Sequence, residues 1–155
     1  MTRLSALVIL LAAAGAMTPA VKTGGDARIC ATLSEVSSSG AGPFLLVFFS
    51  TACPSCYDEL FEARLAVENA GWPLTVVGIC SDPLDELKHF LAKYAWTLPV
   101  VHDRRKLLFK KFRVETVPYK AVLIGGETVF RDDPYLEYGR RWEDFRSWLK
   151  KRFSL

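Results

Sequence analysis

The stretch FFSTACPSC, residues 48–56, ends an apolar run on two cysteines three positions apart. The run itself, FLLVFFS over 44–50, has the length of a strand and no polar alternation, as expected of a strand buried on both faces. Pro54 suits the first turn of a helix, where its missing N–H costs little. Tyr57, Leu60, Phe61, Leu65 and Val67 then give that helix an apolar side as far as Ala70. The CPSC motif therefore falls where a strand gives way to a helix. Cys53 meets the unpaired N–H groups and the positive dipole end of the helix, which favour a thiolate. Cys56 sits close to one turn further on, on the same side. The pattern supplies an activated nucleophile with its own resolving thiol.

Working outward, Gly71-Trp72-Pro73 stops the first helix, and LTVVGI (74–79) reads as a second buried strand. DELKHFLAKYAW (85–96) is an amphipathic helix, LPVV (98–101) a short strand, and RRKLLFKKF (104–112) a third helix with Leu107, Leu108 and Phe112 inward. YKAVLIG (119–125) and ETVFRD (127–132) form a hairpin closed at Gly125-Gly126. The last helix carries Trp142, Phe145, Trp148 or Leu149, and Phe153 at helical spacing. The order β-α-β-α-β-α-β-β-α implies parallel pairing first and an antiparallel edge last. The class is α/β, a mixed central sheet flanked by helices.

The 155 residues suffice for one domain with a real core, and 10 Phe, 5 Tyr and 4 Trp are available to fill it. A formal net charge of +3 is too small to argue for nucleic acid or an anionic membrane as partner. The N-terminus differs from the rest. Met1-Thr2-Arg3 is followed by fourteen uncharged residues, 4–17, and by small residues suited to a signal peptidase at Ala14-Gly15-Ala16 or Thr18-Pro19-Ala20. As a helix that stretch spans about 21 Å, short of a hydrocarbon core of roughly 30 Å. The expectation is export, with residues 1–20 a signal peptide (an anchor if uncleaved), 21–42 an extension in which ICATLSEV is a short ordered piece, and 43–155 the domain.

Export changes how the four cysteines read, because an even count in an oxidising compartment suggests disulfides. A structural metal site wants about four ligands, and neither a second CxxC nor paired histidines is present: His89 and His102 stand alone. As a passive staple, a CxxC loop is too short to remove much unfolded-chain entropy. Redox work is the strongest reading. Val117-Pro118, directly before the strand YKAVLIG, is a candidate cis bond. Cys80 ends a buried strand and Cys30 lies in the extension; they are expected either as packed hydrophobes or as a second disulfide pinning the extension, with exchange against the CPSC pair a third possibility. The basic run Arg104, Arg105, Lys106, Lys110, Lys111, Arg113 reads as a solvated helix face able to dock an acidic partner.

Strand–CPSC–helix, followed by VPYKAVLI, a glycine turn, ETVF and a closing helix, resembles the thioredoxin fold over residues 42–153. The 38 residues between LTVVGI and Pro118 supply an extra helix and strand, and FLAKYAWTLPVVHD matches a pattern of the exported TlpA/ResA group of thiol–disulfide oxidoreductases. The resemblance implies that Cys53 attacks, Cys56 resolves, Pro118 faces the disulfide in cis, and the Val117 backbone pairs with a bound substrate chain. It also implies a disulfide-containing protein substrate, a membrane or extracytoplasmic electron donor, a periplasmic or other extracytoplasmic location, a monomer, and neither organic cofactor nor metal.

The departures are specific. Ala52 stands where the family has Trp, Val47 where thioredoxin has a buried proton-relaying Asp, and Tyr119 where Thr is common. The acidic position of the cytochrome-maturing subgroup falls at Pro83, with Asp82 and Glu115 as loop carboxylates nearby, and RVETVP replaces that subgroup's motif before the proline. A peroxiredoxin-like thiol peroxidase, which shares the inserted helix and strand, lacks its motif proline at Leu46, although Ser50 stands in for the threonine. A disulfide-donating oxidant and a metal-binding module at CPSC complete the alternatives.

Overall fold

The computed structural model describes residues 27–38 and 40–153; the expected leader, 1–20, and its apolar stretch 4–17 lie outside the described residues. Six strands form one sheet: β1 (Ile29–Cys30), β2 (Phe44–Phe49), β3 (Thr75–Cys80), β4 (Val100–His102), β5 (Tyr119–Ile124) and β6 (Glu127–Arg131). Their spatial order is β1-β4-β3-β2-β5-β6. Pairing is parallel from β1 to β2 and antiparallel for β2–β5 and β5–β6. The mixed sheet and its edge hairpin are those the element order implied. Gly125 and Gly126 both have positive φ, the conformation a tight hairpin turn requires.

All six residues of β2 are buried, because helices cover both faces of the sheet. One face packs α2 (Pro54–Ala70), α3 (Leu84–Lys93) and α5 (Tyr138–Phe153) against Leu45, Val47, Phe49, Val76 and Val122. The other packs α1 (Leu33–Val36) and α4 (Leu107–Phe112) against Phe44, Leu46, Phe48, Val77 and Ile79. On that second face Phe48 meets the rings of Phe109, Phe112 and Tyr119. Gly42, at φ +92°, lies so close to the Leu123 carbonyl that a Cβ would stand 2.2 Å from its oxygen. Only glycine allows the chain to enter β2 beside β5 there.

Three details differ from the sequence reading. The segment before residue 43 contributes more than a tether: β1 extends the sheet along β4, and the Val100 N–H donates to the Arg28 carbonyl. The third helix starts at Leu107, not Arg104, because the buried Asp103 carboxylate accepts the N–H groups of Leu107, Leu108 and Phe109 and so caps it there. With that start Leu107 turns outward, 55% exposed, and on α2 Phe61 is also exposed at the surface. The first correction follows from backbone pairing, the second from a capping side chain, and the third from helix phase.

A buried charge network ties α2 and α5 to the sheet. Lys120 lies opposite Val47 in the β2–β5 ladder and is 1% exposed. Its ammonium donates to Glu59 Oε1 at 2.6 Å and Asp132 Oδ2 at 3.1 Å, and Trp142 Nε1 donates to the second Glu59 oxygen at 2.9 Å. Burial pushes the Asp132 carboxyl above its ordinary range, against the pull of Lys120. Replacing Lys120 by Met leaves the Glu59 charge buried without its cation. The expected cost is about 3–5 kcal/mol, read from urea unfolding of Lys120→Met beside the wild type.

Candidate functional site: the dithiol at the end of the central strand

The chain leaves β2 through Ser50–Ala52 and enters α2 with Cys53 as its N-cap and Pro54 in the first turn. Cys53 N–H donates to the Ser50 carbonyl and Cys56 N–H to the Cys53 carbonyl, so the turn and the helix start are continuous. Cys53 and Cys56 are joined in a disulfide with their Cα atoms 5.4 Å apart. Their environments are unequal. Cys53 is half-buried and Cys56 is fully buried against the core. Ser55 Oγ lies 3.6 Å from Cys53 Sγ, and the Val117 carbonyl oxygen 3.9 Å from it. The Val117–Pro118 peptide bond is cis, and through the Val117 carbonyl the loop before β5 lies beside Cys53.

The turn ahead of the cysteines is held by a carboxylate from the next strand. Asp82 Oδ2 accepts the Thr51 N–H at 2.6 Å, the Thr51 hydroxyl at 2.9 Å and the Ser50 hydroxyl at 2.9 Å. Burial works to raise the Asp82 carboxyl, but these donors, led by the Thr51 N–H, more than offset it and hold the carboxyl below the usual range. The Asp82 carbonyl is bonded to His102 Nε2 at 2.8 Å, which links the end of β3 to the end of β4. Sequence reasoning treated Asp82 as a loop carboxylate. Its partners lie some thirty residues earlier, and only the parallel β2–β3 pairing brings them together.

Cys30 and Cys80 are both free and buried, and they are not joined. Cys30 packs on the α4 face of the sheet and Cys80 on the α2 face, with β4 between their strands. Of the readings left open for them, both are packed small hydrophobes, and backbone pairing of β1 with β4 rather than a disulfide holds the extension to the sheet. Burial first, and then the nearby Asp82 charge, pushes the Cys80 thiol up to about 12, so it stays protonated and unreactive at neutral pH. Sequence reasoning also missed Glu59. It sits three residues after Cys56, one helical turn along α2, and a carboxylate on that apolar face was a signal that a buried cation had to meet it. Among the described residues, no three His, Cys, Asp or Glu side chains come together as a metal-binding group, and no helix is long and apolar enough to cross a membrane.

Residues 7–129 match the AhpC/TSA family. The chain belongs to that family. No curated protein matches it. Among solved structures, the exposed lipoprotein thioredoxin Etrx1 of Streptococcus pneumoniae is similar at 19% identity, over 75% of this chain and 89% of that one, with a TM-score of 0.59. A secreted disulfide oxidoreductase of Mycobacterium tuberculosis is similar at 20% identity, over 71% and 83%, with a TM-score of 0.53. StoA of Bacillus subtilis is similar at 18%, over 66% and 81%, also at 0.53. At these identities the likeness is one of fold, and it bears out the thioredoxin-like architecture read from the sequence.

Two measurements check this geometry. In the reduced folded protein, iodoacetamide at about pH 8 should modify Cys53 at least about tenfold faster than Cys56, Cys30 or Cys80, with the sites located by mass spectrometry. Asp82 has a lowered folded-state pKa, so its contribution to stability is complete above the ordinary carboxylate range and is lost as pH falls through the folded-state value. The stability gap between wild type and Asp82→Asn should be constant near neutral pH and shrink below about pH 4. Urea midpoints across that range read it directly.

Proposed function

We propose that this chain is an exported thiol–disulfide oxidoreductase that reduces disulfides in partner proteins outside the cytoplasm. The observation that carries the reading is the asymmetry of the pair: Cys53 half-exposed at the start of α2, Cys56 buried one turn behind it. The Cys53 thiolate attacks one sulfur of a partner disulfide, and the other partner sulfur leaves and takes up a proton. The Cys56 thiolate then attacks Cys53 in the mixed disulfide, forms the Cys53–Cys56 bond and releases the second partner thiol. Two electrons pass to the partner for each disulfide formed here. Val117 presents its backbone, and Pro118 its ring, to the bound partner chain beside the dithiol. A membrane or extracytoplasmic redox protein returns the electrons.

Family membership brings in chains that reduce peroxide, and the second cysteine separates the two chemistries here. A resolving thiol already bonded to Cys53 across one turn serves exchange. The position of the peroxidatic motif proline is Leu46, fully buried in mid-strand. The export part of the reading rests on residues 1–20 as a signal peptide or anchor, followed by the extension 21–42 and the domain 43–155. The active unit is a monomer without metal or organic cofactor.

Equilibration of the mature protein in defined thiol buffers tests the reading. A potential near about −270 mV supports a reductant, and one near about −120 mV would mean a disulfide donor instead. Absence of a reversible two-electron couple would remove exchange altogether. Cys53→Ser should abolish activity on protein disulfides.

A further inference from the structure

A cavity of about 390 Å³ lies on the α4 side of the sheet, lined by Ser50 from the turn that leads to Cys53 and by Val117 from the loop before β5. The lining includes Val117, whose carbonyl oxygen lies 3.9 Å from Cys53 Sγ, and the apolar side chains of Phe109 and Val114. Lys106, Lys110 and Arg113 line the outer part, all exposed. None of these three side chains forms an ion pair or hydrogen bond with another described residue. On the acidic side of the lining, Asp82 is held by Ser50 and Thr51, and Glu115 is exposed at the edge.

The distribution of charge is uneven. Residues 104–113 hold six cations and no carboxylate, twice the formal net charge of +3 of the whole chain. The remainder is therefore net acidic, and three of these six cations, Lys106, Lys110 and Arg113, line the cavity. The backbone adds an independent observation. Lys106 and Arg113 flank α4 at its two ends, and both are left-handed, with φ 55°. Glycine adopts that conformation without the clash that a Cβ brings. Both long cationic chains line the same cavity.

We infer that this cavity receives the segment flanking the reactive cysteine of the partner, and that the segment is acidic. This deepens the exchange reading and rests on it. An apolar side chain of the partner lies over Phe109 and Val114, and its Asp or Glu carboxylates meet Lys106, Lys110 and Arg113. The Val117 backbone places the partner's disulfide at Cys53. Solvent-exposed cations act mainly by steering encounter, so the preference belongs in the second-order rate and weakens with salt.

The test uses the pre-reduced protein and two synthetic peptides with one disulfide each, identical except that Asp and Glu beside the cysteines in one are Asn and Gln in the other. At low ionic strength the wild type should reduce the acidic peptide about tenfold faster. At about 1 M salt the two rates should converge. In the double variant Lys106→Gly/Arg113→Gly, the acidic preference should fall to within about twofold, and the thermal midpoint should be equal or higher. Lys110→Gln should lower the preference in part and serves as the readout if the double variant fails to fold. Equal wild-type rates on the two peptides, or a preference that survives both variants, overturns the acidic-segment proposal and leaves the exchange reading standing. Failure to reduce either peptide overturns both.

Discussion

Three donors converge on one oxygen, Asp82 Oδ2, and the arrangement at the dithiol depends on that convergence. β2 has to stop at Phe49 and hand the chain to a helix whose first residues include Cys53 and Pro54. A turn of Ser50, Thr51 and Ala52 next to the core leaves polar groups that need partners, since a buried unpaired donor costs about 1–3 kcal/mol. Asp82, at the end of the parallel neighbour β3, meets that need from outside the turn. Its backbone is in turn tied to His102 at the end of β4. The ends of three adjacent strands are thus linked by side-chain bonds, and α2 starts from a fixed position. The burial difference between Cys53 and Cys56 follows from that position: the first side chain stays at the surface, the second turns into the core.

A second set of charges, on the α2 face of the sheet, does a different task. Lys120, Glu59 and Asp132 come from β5, α2 and the end of β6, and Trp142 adds α5 to the group. The Val47 position, where a thioredoxin-like chain is expected to hold a carboxylate, is apolar here, and its ladder partner is the buried lysine. Charge is therefore present below the dithiol helix but enters from the neighbouring strand and from the helix itself. Fully paired, such a group specifies how α2 and α5 sit on the sheet; with one member removed, it destabilises.

The alternation of strand and helix was legible because the strands of the parallel core are apolar throughout, and helices with one buried side must lie between them. CPSC was legible as a site because a proline and two cysteines at a strand–helix junction have few purely structural uses. Details set by particular partners were not legible. Asp103 caps α4 from just upstream and sets its start at Leu107, and the phase of that helix then exposes Leu107. β1 is two residues long, too short for any periodicity, and its register comes from β4. The separation of Cys30 and Cys80 depends on which face of the sheet each one meets. Glu59 and Lys120 are 61 residues apart, and each could be seen to need a partner without showing which.

The claim that organises this account is that Cys53 attacks and Cys56 resolves. Cys56→Ser removes the resolving sulfur while leaving the exposed one in place, so a disulfide-bonded peptide offered to the reduced variant should halt at the mixed disulfide. The account predicts one covalent adduct per chain, mapped by mass spectrometry to Cys53 and released by added thiol. An adduct on Cys30 or Cys80, or complete turnover of the peptide by the Cys56→Ser protein, would contradict it.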